Sequence, residues 1–208
     1  MSSRQDILDA ATRLFADKGY EAAAVREICH AAGANVAAIN YHFGGKAALY
    51  HEVVRRAYEA TSSSPMPTLA AFEEPEVALG AWIEWYVDRG TSPSEDPARR
   101  LLLREAAQPT AELDGLVQSV LHPVYRGLKE IVTTLLPPTA CLRTRKIHCL
   151  SILGQCLVHR VCREMIDRLP VDPPLGPQDA PAIANIVTRN AVASLAAAHH
   201  APSPEPTP

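Results

Sequence analysis

Val25-Arg26-Glu27-Ile28-Cys29-His30-Ala31-Ala32-Gly33-Ala34-Asn35-Val36-Ala37-Ala38-Ile39-Asn40-Tyr41-His42-Phe43 reads as two short helices joined by a sharp turn. Small and apolar residues recur at helical spacing on either side of Gly33, which predicts helices over 25–32 and 36–43. Where two such helices cross steeply, the inward residue of the first must be small, and Cys29 meets that need. The turn requires a residue at ease with positive φ, which Gly33 supplies. With Ile28, Ala32 and Ile39 facing inward, the second helix presents Asn35, Val36, Ala37, Ala38, Asn40, Tyr41 and His42 outward. That face is small at its start and polar or aromatic at its end, as the major groove of duplex DNA admits. On spacing alone, an αα-corner inside an ordinary helical bundle stands equally open.

The flanks are helical too. Ile7, Ala10, Ala11, Leu14 and Phe15 form a stripe over 4–18, with Ser2 or Ser3 as N-cap and Gly19 as a left-handed stop. From Lys46, the stripe Leu49, Val53 and Ala57 predicts a fourth helix that ends before Ser62-Ser63-Ser64-Pro65-Met66-Pro67, the best domain boundary. Helices are then expected over 75–89, 97–107, about 113–136, 140–169 and 182–199, with prolines in the gaps. The proline-rich stretch 169–181 reads as a loop, and the proline-alternating end, 201–208, as a disordered tail. The fold class is therefore all-α. Residues 1–64 form a domain of three short helices plus a linking fourth, with the motif at about 24–43, and 68–200 form a second helical domain.

Composition agrees and excludes several classes. A chain of 208 residues, 47% hydrophobic and 21% charged, is long enough to bury a core without disulfides. No run approaches the roughly 20 apolar residues of a membrane span, and the N-terminus lacks a basic-then-apolar export pattern, so a cytoplasmic location and no membrane partner are expected. The five cysteines include no CxxC pair, and reduced thiols are the default. A net charge of −3 and a pI near 6.2 exclude coating of nucleic acid by bulk electrostatics. Over residues 1–60 the charges cancel, so any DNA contact must rest on a few placed groups. Catalytic motifs fail: Gly44-Gly45-Lys46-Ala47 has Ala where a phosphate loop needs Ser or Thr, and no glycine stands at 40. His51-Glu52-Val53-Val54-Arg55 ends in Arg where a zinc-protease helix needs a second His. Neither enzymatic activity nor a cofactor is expected.

Ile7-Leu8-Asp9-Ala10-Ala11-Thr12-Arg13-Leu14-Phe15-Ala16-Asp17-Lys18-Gly19-Tyr20, then Val25-Arg26-Glu27-Ile28 with Ala31-Ala32-Gly33, then Tyr41-His42-Phe43-Gly44-Gly45-Lys46 with Ala47-Ala48-Leu49-Tyr50, run ungapped through the first 60 residues. Together they resemble the DNA-binding domain of the TetR family of bacterial transcription regulators. Ala34 to Phe43, and downstream Leu102-Leu103-Arg104-Glu105, His122-Pro123 and Leu153-Gly154-Gln155-Cys156-Leu157, resemble its CecR-like branch. The resemblance implies a homodimeric regulator, usually a repressor, that reads a palindromic double-stranded operator and is released by a small-molecule effector. Lys46 and Tyr41 are then expected on phosphates, His42 on backbone or packing, and Arg26 either on phosphate or paired with an acid. Asn40 stands where the family often has Tyr, and its amide can pair with adenine. Ala24 stands where Thr would cap the second helix, so that cap is lost.

In the second half, Trp82, Trp85, Tyr86, His122, Tyr125 and Met165 are candidates for binding an apolar or aromatic effector with a polar handle, with plain core packing as the alternative for each, and Arg104 with Glu105 for orienting its polar end, with an exposed helix pair as the alternative. Small residues on 182–199, and apolar residues on more than one side of 140–169, allow these two helices either to build a four-helix dimer interface or to serve as internal core. Cys149, Cys156, His159 and Cys162 share one helix, which keeps a thiol- or metal-responsive regulator open. A helical small-molecule binder that has lost DNA binding is the remaining alternative.

Overall fold

A computed structural model describes residues 4–60, 64–88, 97–166, 168–170 and 175–199, and these hold helices and turns with no strand. Ser2, Ser3 and the tail 201–208 lie outside them. In chain order the helices are α1 (Arg4–Ala22), α2 (Val25–Ala32), α3 (Val36–Phe43), α4 (Lys46–Ala60), α5 (Pro75–Asp88), α6 (Pro97–Ala107), α7 (Leu113–Leu116), α8 (His122–Leu135), α9 (Leu142–Val161), α10 (Arg163–Ile166) and α11 (Ala180–Ala197). The chain packs as two units, Met1–Ser63 with Ser92–His122, and Ser64–Thr91 with Pro123–Pro208. The first stretch of the first unit ends at Ser63. Residues 92–122, however, group with the first unit and not with the rest of 68–200.

The chemistry of α6 explains that grouping. Leu101 is fully buried in the core of the first unit, alongside Ile7, Leu8 and Phe15 of α1, Ile28 of α2, Ile39 of α3, and Leu49 and Val53 of α4. One turn on, Glu105 is 5% exposed, and its carboxylate accepts from Tyr50 Oη, from Thr110 N at 3.0 Å and from Thr110 Oγ1 at 3.1 Å. An ion this deep is tolerated only when donors surround it. Burial and the adjacent Glu105 push the Tyr50 phenol above its ordinary range, which keeps it a donor. The Tyr50 ring packs edge-on to Phe15, centroids 5.0 Å apart, and against Tyr20 at 4.8 Å.

Arginines of α6 finish the end of α1. The helix breaks at Gly19, with φ 81° and ψ 171°, a conformation side chains rarely adopt. Arg104 donates to the Asp17 and Lys18 carbonyls, each at 3.3 Å, and Arg100 reaches the Asp17 carboxylate at 2.9 Å. A Cβ on Gly19 would lie 2.7 Å from Arg104 Nε, so the glycine is required for room as well as for φ. Glu112, just before α7, accepts from Tyr20 Oη at 3.3 Å and lies 2.9 Å from His51 Nε2.

The continuous helix expected over 113–136 is interrupted. A π-helical turn at Val117–Leu121 separates α7 from α8. Pro123 cannot donate to the carbonyl four residues back and crowds it, which widens the preceding turn. The helix expected over 140–169 starts at Leu142, where Cys141 Sγ accepts from Thr144 N, and is broken at Cys162 before the short α10. In the second unit α5 is apolar nearly all round, burying Leu79, Trp82, Ile83, Trp85, Tyr86 and Val87, because it packs against both α9 and α11. Cys149, Ile152 and Cys156 of α9 and Ala184, Val187, Ala191 and Leu195 of α11 complete this core with Leu128, Ile131 and Val132 of α8.

Tyr50→Phe removes a donor from a buried carboxylate and is expected to cost about 1.5–3 kcal/mol of stability. Urea unfolding followed by circular dichroism checks this; an unchanged midpoint refutes a working Tyr50–Glu105 bond.

Candidate nucleic-acid interface

The turn between α2 and α3 is built as the sequence predicts. Gly33 adopts φ 63° and ψ 28°, and its N–H and that of Ala34 return to the end of α2. Cys29, Ile28 and Ile39 are buried, while Ala32 is only half-buried. Asn35 begins α3 as a side-chain cap, its Oδ1 accepting from Ala38 N at 2.8 Å. Ala24 provides no such cap, yet α2 is not left bare. Glu27 reaches back to accept from Ala24 N at 3.2 Å, and Lys18 pairs with it at 2.7 Å. The Lys18 bond, and then that of Ala24 N, holds the Glu27 carboxyl below its usual range.

The outward face of α3 carries Val36, Ala37, Asn40 and Tyr41, with Asn35 at its head, all exposed. Tyr41 stands 86% exposed, a large ring without core on either side. Ala38 and His42 are half-buried, and the His42 ring meets Tyr41 edge-on at 5.0 Å. At the far end Arg4 lies 4.9 Å over the Phe43 ring and pairs with Glu52 of α4 at 2.8 Å, pinning α3 between α1 and α4. Gly44 follows with φ 82° and lets α4 start at once.

The two expected phosphate cations differ. Arg26 is exposed on the first turn of α2 and makes no ion pair among the described residues. Lys46 is half-buried: Nζ donates to the Glu21 carbonyl at 3.2 Å and lies 4.7 Å over the Tyr20 ring. It holds α4 against the end of α1, and a phosphate would have to compete with that carbonyl.

The expected effector residues divide between the two units. Arg104 and His122 belong to the first unit, where Arg104 is spent on the carbonyls of α1. Met165 is largely exposed on α10. Trp82, Trp85 and Tyr86 come together on α5, Trp82 and Tyr86 stacked at 5.1 Å and 14°. Tyr125, on α8, has its phenol pushed up by burial and by the neighbouring Cys149 thiol. A cavity of about 440 Å³ opens beside Trp85, with Glu84, Asp88 and Gln178 on its walls. Glu84 and Asp88 escaped the sequence reading, although 81, 84, 85 and 88 fall on one helix face.

Taken together, an exposed helix on a short-turned pair, capped at its head and clamped at its tail, defines a helix-turn-helix protein. Residues 7–53 match the model of the bacterial regulatory proteins of the tetR family, and residues 75–198 match that of the C-terminal domain of the HTH-type transcriptional dual regulator CecR. The chain belongs to the TetR family of bacterial regulatory proteins and carries a C-terminal domain of the CecR type. It is similar to the HTH-type transcriptional repressor AcnR of Corynebacterium efficiens, 46% identical over 55 residues, which are 26% of this chain and 29% of that one. Matches to curated relatives of this kind span less than a third of their length. Among solved structures, the fatty acid degradation regulator FadR from Bacillus halodurans has a TM-score of 0.63 at 18% identity, covering 93% of this chain and all of that one. AibR in complex with isovaleryl coenzyme A and operator DNA has a TM-score of 0.58 at 19% identity, covering 88% and 95%. At such identities these structures share the fold.

Asn35→Ala deletes the α3 cap and is expected to lower stability by about 0.5–2 kcal/mol, while Ala24→Thr should raise it toward the value of a capped α2. Urea midpoints test both; equal midpoints for wild type and Asn35→Ala would show that the cap carries nothing.

Proposed function

We propose that the protein is a homodimeric, ligand-responsive DNA-binding transcription regulator, acting as a repressor that leaves its operator when a small molecule binds the second unit. The observation that carries this reading is the exposed α3 face, Asn40 and Tyr41 above all, held rigid by a cap at Asn35 and a clamp at Phe43. In the major groove Asn40 would pair with adenine, with Val36 and Ala37 against bases, and Tyr41, Arg26 and Lys46 would take phosphates. Lys46 has its own bond to the Glu21 carbonyl to exchange, so its phosphate contact comes at the expense of one hydrogen bond.

Dimerisation is supported by a surface left exposed among the described residues. Ile147, Leu150 and Val158 of α9 and Ile186 of α11 are exposed, and the same side of α11 carries Asn190, Ala193 and Ser194. Four such helices, two per subunit, would bury this apolar face, with small residues permitting close approach. Two recognition helices about one turn of DNA apart then read a palindrome, and an effector that changes their spacing lowers affinity. A thiol or metal trigger has less support. Burial pushes Cys149 to about 11 and Cys156 to about 12, and no group of three or more ligating side chains converges among the described residues.

Selection of random duplex DNA on the purified protein is expected to enrich a palindrome. Lys46→Ala should then weaken all sequences alike, whereas Asn40→Ala should flatten preference at one base position in each half-site. The cancelled charge of residues 1–60 further predicts a modest salt dependence; a log–log slope near −10 contradicts it. If nothing is enriched from a folded dimer, the reading gives way to a helical ligand-binding protein that no longer reads DNA. Leu150→Glu places a charge on the α9 face and is expected to yield monomers in sedimentation velocity; a persisting dimer moves the interface elsewhere.

A further inference from the structure

α5 carries both tryptophans of the chain, and their indole N–H groups have different fates. Trp85 Nε1 donates to the Ser64 carbonyl at 3.0 Å. Trp82 is fully buried, and its Nε1 has no acceptor among the described residues. A buried donor left unmade is costly and rare, and calls for an explanation.

What lies against it is informative. Gly127 of α8 faces the same spot: a Cβ there would meet Met66 Cε at 2.9 Å, Met66 Sδ at 3.3 Å and Trp82 Nε1 at 3.7 Å. The end of a methionine thus fills the cradle left by the glycine, beside the unpaired N–H. A thioether is a poor acceptor on an unbranched, easily repacked side chain. Met66 stands between Pro65 and Pro67 in an extended strap, half-buried, with none of its own backbone in a helix. The strap is tied to α5 at Ser64, and Ser64 and Pro67 also border the 440 Å³ cavity at Trp85.

We infer that Met66 is a displaceable plug, and that a ligand with a hydrogen-bond acceptor on a neutral apolar body takes its place against Gly127, its acceptor receiving the Trp82 N–H. Displacing the plug joins the cradle to the existing cavity, so the ligand body has room that the methionine alone does not vacate. The donor gains a partner only in the ligated state, which makes the site selective for an acceptor over a plain hydrocarbon. This inference rests on the regulator reading for its meaning, since it names the chemical class of the effector: a carbonyl, ester or amide on an apolar frame.

With two tryptophans, the full-length ¹⁵N-labelled protein gives two indole resonances, assigned with Trp82→Phe and Trp85→Phe. The probes are cyclohexanone and methylenecyclohexane, its nearly isosteric hydrocarbon. Cyclohexanone is expected to move the Trp82 resonance downfield and leave that of Trp85 in place, to bind more tightly in Met66→Ala, and to be preferred over the hydrocarbon by roughly fivefold, the equivalent of one hydrogen bond. Trp82→Phe should abolish the preference. Gly127→Ala fills the cradle while removing a glycine from a helix interior, so it should fold well and lose the response. A Trp82 resonance that ignores cyclohexanone, or that responds equally to the hydrocarbon or in Gly127→Ala, overturns the inference. The readout needs no DNA, so failure of operator binding leaves it standing, and its own failure leaves the DNA-binding reading standing.

Discussion

The bond from Tyr50 to Glu105 decides where the first unit ends. A carboxylate that is 5% exposed must be surrounded by donors, and it finds one on α4 and two on Thr110. Once those are made, α6 cannot leave the α1–α4 bundle without stripping the buried Tyr50 hydroxyl of its acceptor, and Leu101, one turn away, adds the hydrophobic half of the same lock. Arg104, the residue before Glu105, then donates to the Asp17 and Lys18 carbonyls at the end of α1, which the break at Gly19 leaves without helical donors, and Arg100 reaches the Asp17 carboxylate. Helices α4 and α6 and the turn at Thr110 are therefore one mechanical body with the α2–α3 pair.

This lock could not be read from the sequence. Tyr50 and Glu105 are 55 residues apart, and neither carries any local sign of its partner. Local signals did far better. The extents of α2 and, approximately, of α3 are legible because Gly33 and the apolar spacing act within a few positions, and the stop at Gly19 likewise shows in a single glycine of positive φ. Pro123 announced a break in the helix over 113–136, but periodicity alone runs through it, and the π-helical turn was missed for that reason. The missing cap at Ala24 was legible, whereas its compensation by Glu27 required knowing where that side chain points.

The interface and the effector site differ in the same way. A face exposed for recognition is a local property of one helix, and exposure of Asn40 and Tyr41 follows from turning the neighbouring Ile39 into the core. An effector site is assembled from distant elements, and residue type is a poor guide to assembly. Arg104 suited a ligand's polar end chemically but is consumed by the carbonyls of α1, and Met165, large and adaptable, points into no core. Met66 and Gly127 drew no notice, because a methionine in a proline-rich stretch and a glycine in a helix matter only once they are known to share a space.

Charge gives these parts a common logic. Among the cations of residues 4–60, Arg4, Lys18 and Arg55 are spent on carboxylates, Arg56 on the Gln5 amide and Lys46 on a carbonyl, while Arg13 and Arg26 are exposed and make no ion pair among the described residues. On the function proposed above, a unit built this way offers duplex DNA little non-specific attraction, and its affinity would come from a matched sequence engaging both proposed subunits at once. That makes binding sensitive to the spacing of the two recognition helices, since little bulk electrostatic attraction remains once one is out of register. A modest bias applied in the second unit can then act as a switch: a coupling of about 1–3 kcal/mol is ordinary for such proteins, and here no large background affinity would mask it.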